Sequence, residues 1–246
     1  MGILTLVRHA QASFGAANYD VLSDLGQRQS EQLGVCFQSQ GLAFSAVLTG
    51  TLHRHTQTLA GIAQGMASIR QPGSAGIQAC LPAAIARPEL NEYDSQALLT
   101  AWQATQVQTQ PLAGTHNGPP DNTQHSQRKN YFRQLKQALA AWMEGRIAPV
   151  GMPDYPTFSL GIAQVLAEVC SRHNGPVLLV SSGGPIAQVV AHILQAPPST
   201  AIALNMQLRN TAVTETLYSP HGHQLLSFNN LPHLASPQDA ASITWA

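Results

Sequence analysis

An arginine and a histidine stand side by side at positions 8 and 9, directly after the run Ile3-Leu4-Thr5-Leu6-Val7. An imidazole in such a place can act as a nucleophile, and a guanidinium beside it can hold a phosphoryl group through two hydrogen bonds at once. The plain alternative is a strand that ends in a polar pair at the surface. A second candidate nucleophile is Ser182, in Val180-Ser181-Ser182-Gly183-Gly184-Pro185. A serine that ends a strand and opens a helix has the setting of a hydrolase nucleophile elbow, and Glu215 followed by His221, His223 or His233 gives a possible triad order. Against that reading, Val180 stands where the elbow wants glycine, and Arg8 and His9 are left without a role. The two glycines also leave backbone N–H groups aimed beyond the strand, which suits an anion. His53-x-His55 and His221-x-His223 have a spacing compatible with metal, but no carboxylate or thiolate partner lies at a useful distance, so they read as surface histidines.

The elements that must position these residues follow the rhythm of a parallel sheet with helical crossovers. The apolar run before Arg8 reads as a buried strand, delivering Arg8 and His9 to the carboxyl end of a central sheet, where open α/β folds bind ligands. Residues 22–26 open a helix with Ser23 as its N-cap, Leu25, Leu33 and Phe37 as its apolar stripe, and Gly41 just past its end. Ala46-Val47-Leu48-Thr49 is a second strand, leading into a helix that carries His53, Arg54, His55, Thr58 and Ile62. A third short strand at 84–86 precedes the acidic stretch Arg87-Pro88-Glu89-Leu90-Asn91-Glu92, expected on a loop because Pro88 disfavours helix before it. Helices are expected over 97–108, 127–145 and 158–170, with Trp102, Phe132, Leu135, Leu139 and Trp142 at apolar positions. A Pro/Gly/Asn-rich break runs through 111–122, and another through 149–156. Residues 175–181 are the best strand in the chain, followed by a helix over 186–194 with Pro185 at its first position. Residues 211–218 and 224–228 read as a hairpin. The expected fold is a three-layer αβα sandwich with a mostly parallel central sheet. It is expected to form one domain over 1–246, with a helical insertion at about 95–173 lying over the carboxyl edge of the strands.

Composition narrows the function. The chain has 246 residues, of which 44% are hydrophobic and only 10% charged, and its 12 basic and 12 acidic side chains cancel. With no basic stripe and no apolar run long enough to span a bilayer, neither nucleic acid nor membrane is an expected partner. Cys36, Cys80 and Cys170 are scattered and odd in number. They read as reduced thiols of a cytoplasmic protein, and the N-terminus enters the first strand without a secretion signal.

Four segments, in order, carry a family resemblance. Val7-Arg8-His9-Ala10 resembles the Arg-His-Gly signature of the histidine phosphatase superfamily, the phosphoglycerate-mutase-like proteins. Leu48-Thr49-Gly50-Thr51-Leu52-His53-Arg54-His55-Thr56-Gln57-Thr58 is similar to the second motif, whose arginine falls on Arg54. Leu90-Asn91-Glu92 matches the segment bearing the family's acid, and Val180-Ser181-Ser182-Gly183-Gly184 matches the last motif, usually Ser-His-Gly-Gly. The resemblance implies a metal-independent phosphomonoester hydrolase that needs no cofactor and acts on a small phosphorylated substrate. In it, His9 forms a phosphohistidine, its other ring nitrogen held by a backbone carbonyl. Arg8 and Arg54 clamp the non-bridging oxygens, and Glu92, with Glu89 as competitor, is the general acid. Ser182, Gly183 and Ser13 complete the phosphate site. Two departures stand out: Ala10 replaces the signature glycine, and Ser182 replaces the second histidine. A serine hydroxyl donates one hydrogen bond but carries no charge, so the alternative is a catalytically weakened phospho-ligand-binding protein of the same fold.

Overall fold

The computed structural model describes residues 1–13, 20–69, 81–109 and 124–245. A six-stranded sheet runs in the order β3-β2-β4-β1-β5-β6. Its strands are β1 (Gly2–Arg8), β2 (Ala46–Thr49), β3 (Ala84–Ala86), β4 (Val177–Ser181), β5 (Val213–Ser219) and β6 (Gly222–Asn230). The first four in that order are mutually parallel, and β5 and β6 add an antiparallel hairpin. Leu4, Leu6, Val7 and all of Val177–Val180 are buried, the pattern of strands covered on both faces. The register places Arg8 opposite Ser181, and Thr49 opposite Val180. Three neighbouring parallel strands therefore end level with one another, and the residues that follow each of them meet at one edge.

Helices α1 (Asp24–Ser39) and α2 (His53–Ser68) cover one face. Leu33, Phe37, Ile62 and Met66 pack there on Val7, Val47, Leu178 and Val180. The cap expectations hold: Ser23 Oγ accepts from Gly26 N at 3.1 Å, and Gly41 follows the helix in the left-handed region at φ 68°. Leu25 is only half-buried. Gln29 is buried instead, because its amide accepts from Gln11 N and donates to Ser242 O and Thr244 Oγ1. The two helices approach through glycines. A Cβ on Gly34 would lie 2.1 Å from Ile62 O, and one on Gly65 would lie 2.0 Å from Glu31 O. Backbone cannot yield as a flexible side chain can, so Gly34→Ala is expected to part the helices and cost about 1–3 kcal/mol. Urea unfolding of that variant at wild-type stability would refute the close approach.

α6 (Gly183–Ile193) packs on β1 and β6, with α7 (Pro198–Asn205) packed on α6, and α5 (Tyr155–Arg172) comes beside β6, where Leu166 O lies 3.2 Å from His223 Nε2. The eight-residue α7 lacks a periodic apolar stripe and was not expected from the sequence. α6 begins at Gly183, three residues before the expected range. Ser182 is its N-cap and Pro185 its third residue, a position where the missing N–H has no acceptor inside the helix anyway. β5 starts at Val213 rather than 211, because Thr211 has φ 56° and cannot lie in a strand. The turn after β3 is a short 3-10 helix over Pro88–Leu90. Residues 71–76, which the sequence reads as a loop, and the expected break at 111–122 lie outside the described residues.

The chain divides into two compact units, Met1–Glu92 with Gly161–Ala246, and Tyr93–Leu160. The second holds α3 (Ser95–Thr109), α4 (Gln124–Met143) and the start of α5. Leu98, Leu135, Leu139 and Trp142 are buried in it, while Trp102 and Phe132 are half-buried. Trp142 stacks edge-on against Tyr155 at 5.5 Å between centroids and donates from Nε1 to Pro153 O at 3.1 Å.

Candidate active site

Each candidate residue is delivered by a strand end or by the helix that follows. His9 leaves β1 with its backbone N–H on Ser181 O at 2.8 Å, which ties the end of β1 to the end of β4. Its ring Nδ1 lies 2.8 Å from Ala10 O. A carbonyl can only accept, so Nδ1 carries the proton and Nε2 presents its lone pair. Thr58 of α2 steadies this turn, its Oγ1 accepting from Ala10 N at 3.0 Å. Arg8 and His9 are both buried, at 5% and 2% exposure, so they are not a surface strand end. The Arg8 guanidinium donates to Leu208 O. A Cβ added to Gly183 would stand 3.6 Å from Arg8 Nε, so Arg8 runs alongside the start of α6.

Arg54 is buried on the first turn of α2 and forms an ion pair with Asp20 at 2.8 Å. Asp20 also accepts from His53 N at 2.8 Å. It thereby supplies the anionic cap that Leu52, the N-cap residue, cannot. The sequence reading missed Asp20, which acts across 33 residues and carries no local signal. Asn91 orients the loop after β2, accepting from Thr51 N and donating to Thr51 Oγ1, both at 2.7 Å.

Glu92 and Glu89 separate clearly. The Glu92 carboxylate accepts from Gly184 N at 3.1 and 3.2 Å, at the positive end of α6, whereas Glu89 is exposed. The Gly184 N–H is thus occupied by a carboxylate rather than left open to an incoming anion. The remaining predicted member, Ser13, is half-buried on the segment whose N–H pairs with Val21 O.

His55 departs most from expectation. It is not a surface histidine: it is fully buried, its Nε2 is 2.7 Å from Ser182 Oγ, and its ring centroid is 5.8 Å from that of His9. Gly50 makes room for it, since a Cβ there would lie 2.2 Å from His55 Nδ1. His53, by contrast, is exposed. Of the triad partners considered for Ser182, His223 is engaged with Cys170 and Thr216, His233 with Thr211 and Glu215 with Ser227, while His221 is exposed.

Burial, then the charges of Arg8 and Arg54, hold the His9 pKa well below the usual imidazole range, outweighing its hydrogen bond to Ala10. Burial and then Arg54 push His55 down to about 3 against the opposing pull of Asp20. Both rings are therefore neutral at pH 7. In the unfolded chain they titrate near 6.5, so below that pH the unfolded state binds protons that the folded state refuses, and stability falls as pH falls. For His55 this amounts to about 2 kcal/mol between pH 6.5 and 5. Urea unfolding at pH 7 and pH 5 should show a loss in the wild type that is smaller by that amount in His55→Gln. An equal loss in both would contradict the assignment.

The sequence model of the histidine phosphatase superfamily (branch 1) matches residues 95–231, more than half of the chain. The chain belongs to the histidine phosphatase superfamily. The matched range contains the last of the four motifs, and the first three lie before it. No curated protein matches the sequence significantly. Solved structures of the superfamily's fold match nearly the whole chain. Phosphoserine phosphatase from Entamoeba histolytica, in complex with 3-phosphoglyceric acid, is 22% identical with a TM-score of 0.58, covering 95% of this chain and 100% of its own. A putative alpha-ribazole-5'-P phosphatase from Escherichia coli is 18% identical with a TM-score of 0.59, covering 94% and 97%. The mycobacterial glucosyl-3-phosphoglycerate phosphatase with inorganic phosphate is 18% identical with a TM-score of 0.59, covering 96% and 100%. At these identities the likeness establishes a shared fold for this histidine phosphatase superfamily member.

Proposed function

We propose that this protein hydrolyses a small phosphomonoester through a phosphohistidine on His9. The observation that carries the reading is the His9 ring, with Nδ1 on the Ala10 carbonyl and Nε2 left as a neutral nucleophile beside Arg8 and Arg54. In the first step Nε2 attacks phosphorus, the phosphorus–oxygen bond to the alcohol breaks, and Glu92 protonates the departing oxygen. In the second, the Glu92 carboxylate takes a proton from water, the resulting hydroxide attacks phosphorus, and the nitrogen–phosphorus bond breaks to release phosphate and free His9. Arg8 and Arg54 face the non-bridging oxygens, where the transition-state charge spreads, and so supply the positive charge a metal would otherwise bring. Arg54 reaches the phosphate while keeping Asp20, since a guanidinium has five donors. Ser182 and Gly183 complete the phosphate site, and Ser13 is assigned to its rim.

The structural neighbours act on or bind small phosphorylated molecules such as phosphoserine and phosphoglyceric acid, and this substrate class is the one we assign. Among the described residues no helix is long and apolar enough to cross a membrane. Cys36 and Cys170 are free thiols, in keeping with a reducing, cytoplasmic compartment.

Serine in place of the second histidine favours one competing reading, a phospho-ligand sensor that binds without turnover. A panel of phosphorylated metabolites and p-nitrophenyl phosphate, assayed with wild type and His9→Ala, decides between them. Turnover dependent on His9 establishes the phosphatase. Binding of phosphate with rates equal in both proteins establishes the sensor.

A further inference from the structure

Ser182 caps α6 by position, yet its hydroxyl makes no capping bond. It is wholly buried and turned to His55 Nε2 at 2.7 Å instead. The other nitrogen of that ring, Nδ1, is buried without a hydrogen-bond partner among the described residues. This fixes the tautomer. A buried N–H with no acceptor costs more than a bare lone pair, because orphaned donors are the rarer and more expensive fault. The proton therefore sits on Nε2, and Nε2–H donates to Ser182 Oγ. With its acceptor side engaged, the serine has its own hydrogen left to give, and the groups sharing this end of the strands are His9, Arg8 and the start of α6.

We propose that His55 is a positioning residue that commits Ser182 to donate its hydroxyl hydrogen to the phosphoryl group, so that the imidazole missing after β4 is supplied from α2, one residue beyond Arg54. The inference rests on the phosphoryl-transfer reading above. The pair is Nε2–H to Oγ–H to phosphoryl oxygen, with no change of covalent bonds. It is not a nucleophile and its base. Deep burial and a neighbouring Arg54 make His55 a poor proton acceptor, and among the described residues no carboxylate holds Nδ1 to stabilise an imidazolium.

Steady-state kinetics on p-nitrophenyl phosphate test this, with thermal melting to confirm that each variant is folded. Ser182→Ala should lower kcat about 10²-fold, the usual loss for one transition-state donor. His55→Leu, which keeps volume but cannot donate, should lower kcat about tenfold or more with KM little changed, since the hydrogen bond matters most where charge builds. His55→Gln, whose amide N–H can reach Ser182, should regain most of that loss, which a purely packing role would not produce. His55→Leu combined with Ser182→Ala should be no slower than Ser182→Ala alone, because the two act as one unit. Moving the ring back, as His55→Ala with Ser182→His, should outperform His55→Ala. A folded His55→Leu with wild-type kcat, or a double variant as slow as the product of the single losses, overturns the inference while leaving the phosphatase reading intact. Labelling of Ser182 by a fluorophosphonate that requires His55 also overturns it, by making the serine a nucleophile. Turnover undiminished in His9→Ala would instead overturn the reading on which the inference stands. If His55→Leu does not fold, the Gln variant and the Ser182 pair still decide.

Discussion

His9→Ala is expected to abolish turnover of every phosphate ester the wild type hydrolyses, a fall on the order of 10⁴-fold or more, as befits loss of the attacking atom. Among the described residues nothing beside it can replace it. His55, the other imidazole in the site, has its Nε2 committed to Ser182 and its Nδ1 facing Gly50. The variant should still bind inorganic phosphate, because Arg8 and Arg54 are untouched, so the loss belongs to kcat rather than to binding. Rapid quenching of the wild type with substrate should trap a phosphoryl adduct on His9 that is stable to base and labile to acid, and the variant should yield none. A trapped adduct on another residue, or turnover that survives the substitution, would identify a different nucleophile.

Glu92→Gln is expected to be the next most damaging single change, with a pattern that distinguishes chemistry from packing. Glutamine keeps the size of the side chain and can still accept from Gly184 N, the bond that places Glu92 at the start of α6. It cannot deliver a proton. General acid–base catalysis is worth roughly 10²–10⁴-fold, and that loss should appear in full with alkyl phosphates, whose leaving oxygen must be protonated. With p-nitrophenyl phosphate, a good leaving group, the loss should be much smaller in the first step. Equal losses on both substrates would assign Glu92 a structural part and turn attention to Glu89, despite its exposure.

The amino-acid sequence by itself determined most of the elements, though not α7, and some of their ends. Val177–Val180 is apolar at every position, and Leu4–Val7 at every position but Thr5, because both faces of those strands are covered, and such runs are visible locally. Ser23 and Gly41 mark the limits of α1 through side-chain and backbone preferences that act within a few residues. The order Arg8-His9, Arg54, Glu92, Ser182 was legible too, since each stands at a strand end or on the first turn that follows one. What the sequence could not show was which partners those ends acquire. A parallel sheet joins strands through long crossovers, so the residues that meet at its edge lie far apart in the chain. Asp20 caps α2 from 33 residues away, and Ser182 meets His55 across 127. Periodicity and capping carry no record of such distances. His53-x-His55 therefore read as a surface pair, whereas the tertiary structure leaves His53 exposed and buries His55 in the space Gly50 leaves open. The Leu-Asn-Glu match already favoured Glu92 over Glu89, and the tertiary structure adds a difference in setting, since the turn after β3 brings the Glu92 carboxylate to the amide of Gly184 and leaves Glu89 exposed.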